Sequence, residues 1–333
     1  MSPTNYPGNL IALNGLLLLI PVLFFSTVSN AQKELPLLTE KPGSFEFISR
    51  TDYNRPECGF TKSEVTEHLK EISALANAVR RNPVLAENKG FDARVRVYNI
   101  NCTDQGAYGI PARISFEFIS WYRQENGQPG RITIEPPEWT VIVNRQKPGS
   151  YPFAAPEFSG DKNYFILPPK RETIRRGVDL YDGEVYVLYN PDRPPYWLPV
   201  TVEEAFNKLR AYWGSQPDKF TVDFMMKAIE TEYAAIPESD RSKPAYYGGS
   251  AGTTGVSANR SYAPLYRINP EYWNRKLPRS AIQFMYLRII SNRKFLSDRT
   301  AESLKNFSTS YNLYRFEESL DTSDVFRLIP LLR

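Results

Sequence analysis

The stretch ARISFEFISWYRQ (112–124) alternates apolar and polar side chains, with Ile114, Phe116 and Phe118 on one side. A period of two puts those residues on one face of a pleated strand. Such a strand needs an antiparallel neighbour and a cover for its apolar face. FDARVRVYNI (91–100) supplies the neighbour, alternating through Phe91, Ala93, Val95 and Val97. TKSEVTEHLKEISALANAVRR (61–81) supplies the cover. Its Val65, Leu69, Ile72, Leu75 and Val79 keep helical spacing. Thr61 and Glu64 form a capping box at its start, and Asn82-Pro83 stops it. Asn126-Gly127 marks a hairpin, and RITIE and WTVIVN extend the ladder around Pro136-Pro137. The expected class is α+β, with antiparallel sheets and helices packed on them.

Residues 32–144 therefore read as an N-terminal helix-on-sheet region. RQKPGSYPFAAPEFSGD (145–161) reads as a linker or crossing loop. Residues 162–333 read as a C-terminal α+β region, the alternative being one continuous domain over 32–333. NYFILPP, GEVYVLYN and RSAIQFMYLRIIS have strand character. TVEEAFNKLRAYW is a helix with Thr201 and Glu204 as a second capping box. PDKFTVDFMMKAIETEYAAI is another, started by Pro217, with Phe220, Phe224, Ile229 and Tyr233 along its apolar side. Residues 237–262 read as a long irregular stretch. TSDVFRLIPLL reads as a short helix or buried tail.

The chain opens on an uncharged apolar run, densest from Leu16 to Phe25, that ends in Ser29-Asn30-Ala31. This is the pattern of a signal peptide, residues 1–31, cleaved before Gln32. Asn14, Gly15 and Pro21 leave the run shorter than the ~20 residues of a spanning helix, so no stable membrane anchor is expected after cleavage. The expected location is secreted, periplasmic or in the cell envelope. There the two cysteines, Cys58 and Cys102, are expected to form a disulfide.

The net charge of +4 comes from interleaved acids and bases and does not point to nucleic acid. The chain has one histidine, His68, at the edge of the 61–81 apolar face. Zinc sites draw on several His, Cys or carboxylate ligands, and no D-x-D-x-D-G calcium loop occurs. No metal or cofactor is expected.

Gly248-Gly249-Ser250-Ala251-Gly252 matches the G-x-S-x-G nucleophile pattern. Neither a strand before it nor a helix after it is predicted, and His68 lies far upstream. Without a base the hydroxyl stays protonated. The segment reads as a mobile loop over 248–258, and a candidate lid. Ser291-Asn292-Arg293-Lys294 matches S-x-x-K without its K-T-G companion. Glu135, Glu138, Asp182, Glu184 and Asp192 are candidate carboxylates for glycoside hydrolysis, but spacing selects no pair among them.

The most distinctive texture is aromatic. YNPDRPPYWLPV (189–200) sets Tyr196 and Trp197 beside Asp192 and Arg193 in a proline-stiffened loop, and PAYYGG adds Tyr246 and Tyr247. Exposed rings beside fixed polar groups bind sugars and peptides. The expectation is an exported non-catalytic binding or envelope-associated protein, its ligand a glycan or peptide held by these six residues. The alternative is a carboxylate-dependent hydrolase acting on glycans.

Overall fold

The computed structural model describes residues 36–48, 58–99, 108–146, 163–167, 169–182, 185–248, 251–288 and 310–333. The signal segment, Cys102, Ser250 and Ser291–Lys294 lie outside them.

β3 (Ala112–Arg123) anchors the larger sheet. It pairs antiparallel with β2 (Phe91–Asn99), in the register Val95↔Phe116, and with β5 (Glu138–Val143), in the register Ile114↔Val141. β1 (Phe45–Ile48) joins β2 in parallel, and β4 (Pro129–Arg131) pairs with β3 across the Asn126-Gly127 turn. RITIE extends the ladder only at its start, contrary to expectation. The strand stops at Arg131, Glu135 turns back with φ 44°, and Ile134 is 85% exposed. The proline pair that follows lacks the N–H groups a ladder needs.

Beyond β5 the sheet takes its next strand from late in the chain. β14 (Phe284–Arg288) lies between β5 and β9 (Val185–Tyr189), antiparallel to both. β8 (Val178–Tyr181) and the edge strand β7 (Lys170–Arg175) complete it. Segments on both sides of residues 145–161 thus share one sheet. β7 is charged and exposed, with two register shifts against β8. Charge and bulges of this kind keep an edge strand from recruiting another chain.

One face of this sheet buries a continuous core. Phe91, Val95, Phe116, Phe118, Val141, Leu188 and Met285 all point into it. α1 (Lys62–Val79) covers that face through Ile72, Leu75 and Val79, as its periodicity requires. The capping box forms as expected, with Thr61 N–H donating to Glu64 at 2.7 Å and Glu64 N–H donating to Thr61 at 3.2 Å. α2 (Pro83–Glu87), α6 (Tyr311–Ser319) and α7 (Thr322–Phe326) close the rest through Leu85, Phe316 and Val325. His68 lies deeper than the edge position expected for it. It is fully buried, and its Nδ1 lies 2.8 Å from the carbonyl oxygen of Ser280. A carbonyl only accepts, so Nδ1 carries the proton.

A second sheet is built from β10 (Trp197–Pro199), β13 (Ala263–Ile268), β11 (Tyr246–Tyr247) and β12 (Val256–Ser257), with β6 (Tyr164–Ile166) also on β13. α3 (Val202–Gly214) and α4 (Lys219–Ala235) pack on one side of it through Phe206, Leu209 and Ile229. This half of the chain departs from the sequence expectation in three places. Phe220 and Phe224 are 82% and 58% exposed, because Met225 and Ile229 are the residues that α4 buries. The second capping box is half-formed. Thr201 caps Glu204 N–H, but the Glu204 carboxylate turns to Arg267 at 2.9 Å and Tyr164 at 3.0 Å. The stretch 237–262 is not irregular throughout, since it holds α5 (Glu238–Arg241), β11 and β12.

Candidate functional site

The second face of the large sheet is divided. Over β14, β9 and β8 it meets the second sheet through an aromatic cluster that includes Phe165, Tyr181, Tyr196, Trp197, Tyr272 and Phe284. Over β2, β3 and β5 it carries the charged side chains of Asp92, Arg94, Arg96, Arg113, Glu117 and Glu138.

The structure separates the six sequence-nominated residues. Tyr196 and Trp197 are 6% and 4% exposed. They do not offer open ring faces, contrary to the sequence reading. Trp197 meets Phe165 and Tyr181 edge-on, each at 5.4 Å, and donates from Nε1 to the Gln146 carbonyl at 2.7 Å. Arg193 donates to the carbonyls of Tyr272 at 2.8 Å, Trp273 at 2.9 Å and Glu271 at 3.2 Å. Its guanidinium thereby satisfies the carbonyls that end the 3-10 turn Pro270–Tyr272. Asp192 is exposed and pairs with Arg176. Tyr246 and Tyr247 are half-buried neighbours on β11 whose side chains point to opposite sides of the sheet.

The rings converge on a residue the sequence did not single out. Asp179, in β8, is 3% exposed. Its carboxylate accepts from Tyr196 Oη at 2.6 Å, Thr173 Oγ1 at 2.7 Å and Tyr189 Oη at 3.4 Å, and faces Lys170 Nζ at 2.8 Å. Tyr181 and Tyr196 hydroxyls lie 2.8 Å apart. Tyr196 spends its proton on Asp179, so Tyr181 donates to Tyr196. The chain Tyr181→Tyr196→Asp179 is a polarised relay in a low-dielectric setting. Burial raises all of these phenols: Tyr196 well above the ordinary range, and Tyr181, Tyr189 and Tyr266 above it too. At neutral pH they are hydrogen-bonding groups and not bases.

No protein family, curated protein or solved structure matches this chain.

The Asp179 hub is closed below and open at its rim. Lys170 and Thr173 are exposed, and Tyr189 and Tyr266 are half-buried. Tyr266 stacks on Phe165 at 6.3 Å. Tyr246 pairs with Pro264, two residues before Tyr266 on β13, so the two tyrosines share one face of the second sheet. The aromatic enrichment was visible in the sequence. What was missing was the acid, one of several in VDLYDGE with no spacing to mark it.

The polar half of the same face holds a second arrangement. Glu117 and Glu138 sit opposite each other across β3 and β5. Neighbours of this kind have Cβ atoms about 5 Å apart. Glu117 is matched by Arg96 at 2.9 Å, Arg94 at 3.7 Å and the Tyr98 hydroxyl at 3.3 Å. Glu138 is matched by Arg113 and Ser115. Among the other acids considered for hydrolysis, Glu135 lies in the exposed turn, Asp182 pairs with Arg171 at 2.9 Å, and Glu184 lies outside the described residues. A small apolar cavity lined by Val79, Trp139, Leu287 and Leu328 lies over the opposite face of the sheet from the rim. Among the described residues, no three His, Cys, Asp or Glu side chains are grouped to hold a metal ion, and no helix is long and apolar enough to cross a membrane.

Proposed function

We propose that this chain is an exported, non-catalytic binding protein that holds a glycan against the tyrosine rim of the Asp179 hub. The observation that supports this best is the hub itself. One buried carboxylate ties down Tyr189, Tyr196 and Lys170, while Tyr189, Tyr246 and Tyr266 keep part of their surface open. A sugar ring has apolar C–H faces edged by hydroxyls, and a tyrosine has an apolar face with a polar tip. Rings already fixed by a buried network lose little freedom on binding. The probes are immobilised chitin, β-glucan and peptidoglycan fragments. Retention on one of them is expected, weakened about 10-fold or more by Tyr266→Ala and by Tyr189→Ala. Retention of extended peptides alone makes the ligand a peptide. No retention, or retention indifferent to both substitutions, overturns the reading.

Export is a separate part of the same proposal. On this proposal the apolar run ending at Ala31 is a signal, and Cys58, buried just before α1, is to pair with Cys102. A bridge over that separation stabilises by about 3–4 kcal/mol in the chain-entropy account. Mass spectrometry of the secreted protein should find Gln32 at the amino terminus and a Cys58–Cys102 peptide before reduction. A chain that keeps Met1, or that alkylates at both thiols unreduced, rules this part out.

A carboxylate-dependent hydrolase is the second reading, and the register Glu117↔Glu138 favours it. Each of these carboxylates faces a guanidinium, Arg96 for Glu117 and Arg113 for Glu138. Turnover of the same glycans, abolished by Glu138→Gln in a folded protein, would replace the binding reading with this one.

A further inference from the structure

The glycines of YYGGSAGTTG raise a question that nucleophile chemistry leaves unanswered. Three of them lie where a side chain would collide. A Cβ on Gly248 would come within 2.4 Å of the Tyr262 ring, one on Gly255 within 2.8 Å of the Tyr247 ring, and one on Gly252 within 2.9 Å of a Glu232 carboxylate oxygen. Gly252 and Gly255 also have φ +102° and +70°, a region that favours glycine. The turn is pressed onto its surroundings.

Glu232 holds it there. The carboxylate accepts from Thr253 N–H at 2.7 Å, Thr254 N–H at 3.2 Å and Thr254 Oγ1 at 2.5 Å. Thr254 is 4% exposed. Glu232 lies in the last turn of α4, where the helix dipole disfavours an anion. Three donors aimed at that anion offset the penalty. Successive backbone N–H groups in a glycine turn make a concave anion seat, and here the chain fills the seat with its own side chain.

The turn leads directly into β12. Tyr247 pairs with Val256, and Tyr246 pairs with Ser257 on one side and Pro264 on the other. Tyr266 follows Pro264 by two residues on β13, so it projects from the same face of the sheet as Tyr246. We propose that Glu232 is a positioning residue for the tyrosine rim: its carboxylate locks the 252–255 turn, the turn sets β12 on β11, and β11 presents Tyr246 beside Tyr266. This inference rests on the rim being the ligand site. It replaces the mobile loop expected over 248–258 with a latched turn over its described part.

Hydrogen exchange on the full secreted protein tests the latch without any ligand. Glu232→Ala should speed exchange at Thr253, Thr254 and the β11 and β12 amides by about 10- to 100-fold, leaving β2 and β3 amides unchanged. Sodium acetate should slow it again by refilling the seat, and Glu232→Gln should fall between. Unchanged exchange in both variants overturns the latch. Faster exchange that acetate does not reverse overturns the role of the carboxylate. The binding arm uses the chitin, β-glucan and peptidoglycan probes, where Glu232→Ala should weaken retention several-fold, with acetate restoring it. Faster exchange with full retention overturns the positioning role. A wild-type protein that binds none of the probes refutes the rim reading and the positioning role resting on it, while the exchange arm still decides the latch.

Discussion

Asp179→Ala is expected to destabilise the protein by about 2–4 kcal/mol. The loss comes from what is left behind. Tyr196 Oη and Thr173 Oγ1 lose acceptors at 2.6 and 2.7 Å, and Lys170 loses its counter-ion. Tyr196 is buried, so water does not replace its partner readily. Lys170 has 38% of its side chain exposed, so its share is small. Asp179→Asn keeps an acceptor and should cost about half as much. Urea denaturation measures both. A midpoint shift with an unchanged slope is expected, since the unfolded surface is the same. A change below about 1 kcal/mol for the alanine variant would mean that the hub does not hold the two sheets together.

Acid should weaken the protein through His68. Burial lowers its pKa from 6.5 to about 4, and the Ser280 carbonyl offsets only part of that. The folded state therefore keeps the ring neutral where the unfolded chain binds a proton. The contribution is whole above pH 6.5, is lost as pH falls from 6.5 towards 4, and then levels off. Over that window the loss is about 3 kcal/mol. Glu317 opposes it. Burial raises its carboxyl from 4.5 to about 7, so its contribution is whole below 4.5 and disappears as pH rises through 7. The wild-type profile is the sum of the two, and a variant isolates one of them. His68→Asn keeps a donor for Ser280 and does not titrate, so its stability should fall less than that of wild type between pH 6.5 and 4. Parallel profiles for the two proteins would show that His68 is not the buried neutral ring described here.

Local signals told the truth wherever a single element decides the outcome. The α1 face, its capping box and the alternation in β2 and β3 all follow from spacing within one segment, and spacing survives into the fold. The failures lie where partners come from elsewhere. Thr201 and Glu204 look like a capping box until Arg267 competes for the carboxylate. Phe220 and Phe224 look buried until α4 turns Met225 and Ile229 inward. Tyr196 and Trp197 read as a surface platform because the sequence does not say that a second sheet closes over them. Asp179 was invisible for the same reason: its four partners come from β7, from β9 and from the loop before β10. Glu117 and Glu138 become neighbours only through the β3–β5 register.

The position of β14 dictates a timetable. A ribosome or export channel releases the amino-terminal strands first, yet β5 and β9 are separated in the sheet by a strand encoded more than a hundred residues after β5. Until residues 284–288 emerge, both strands carry an unsatisfied row of N–H and C=O groups facing a missing neighbour. Partial chains are therefore sticky. The pairings of β14 with β5 and β9 are long-range, and long-range pairing slows folding. The same arrangement leaves no point between β5 and β14 at which the protein can be cut into two halves that each keep a finished sheet.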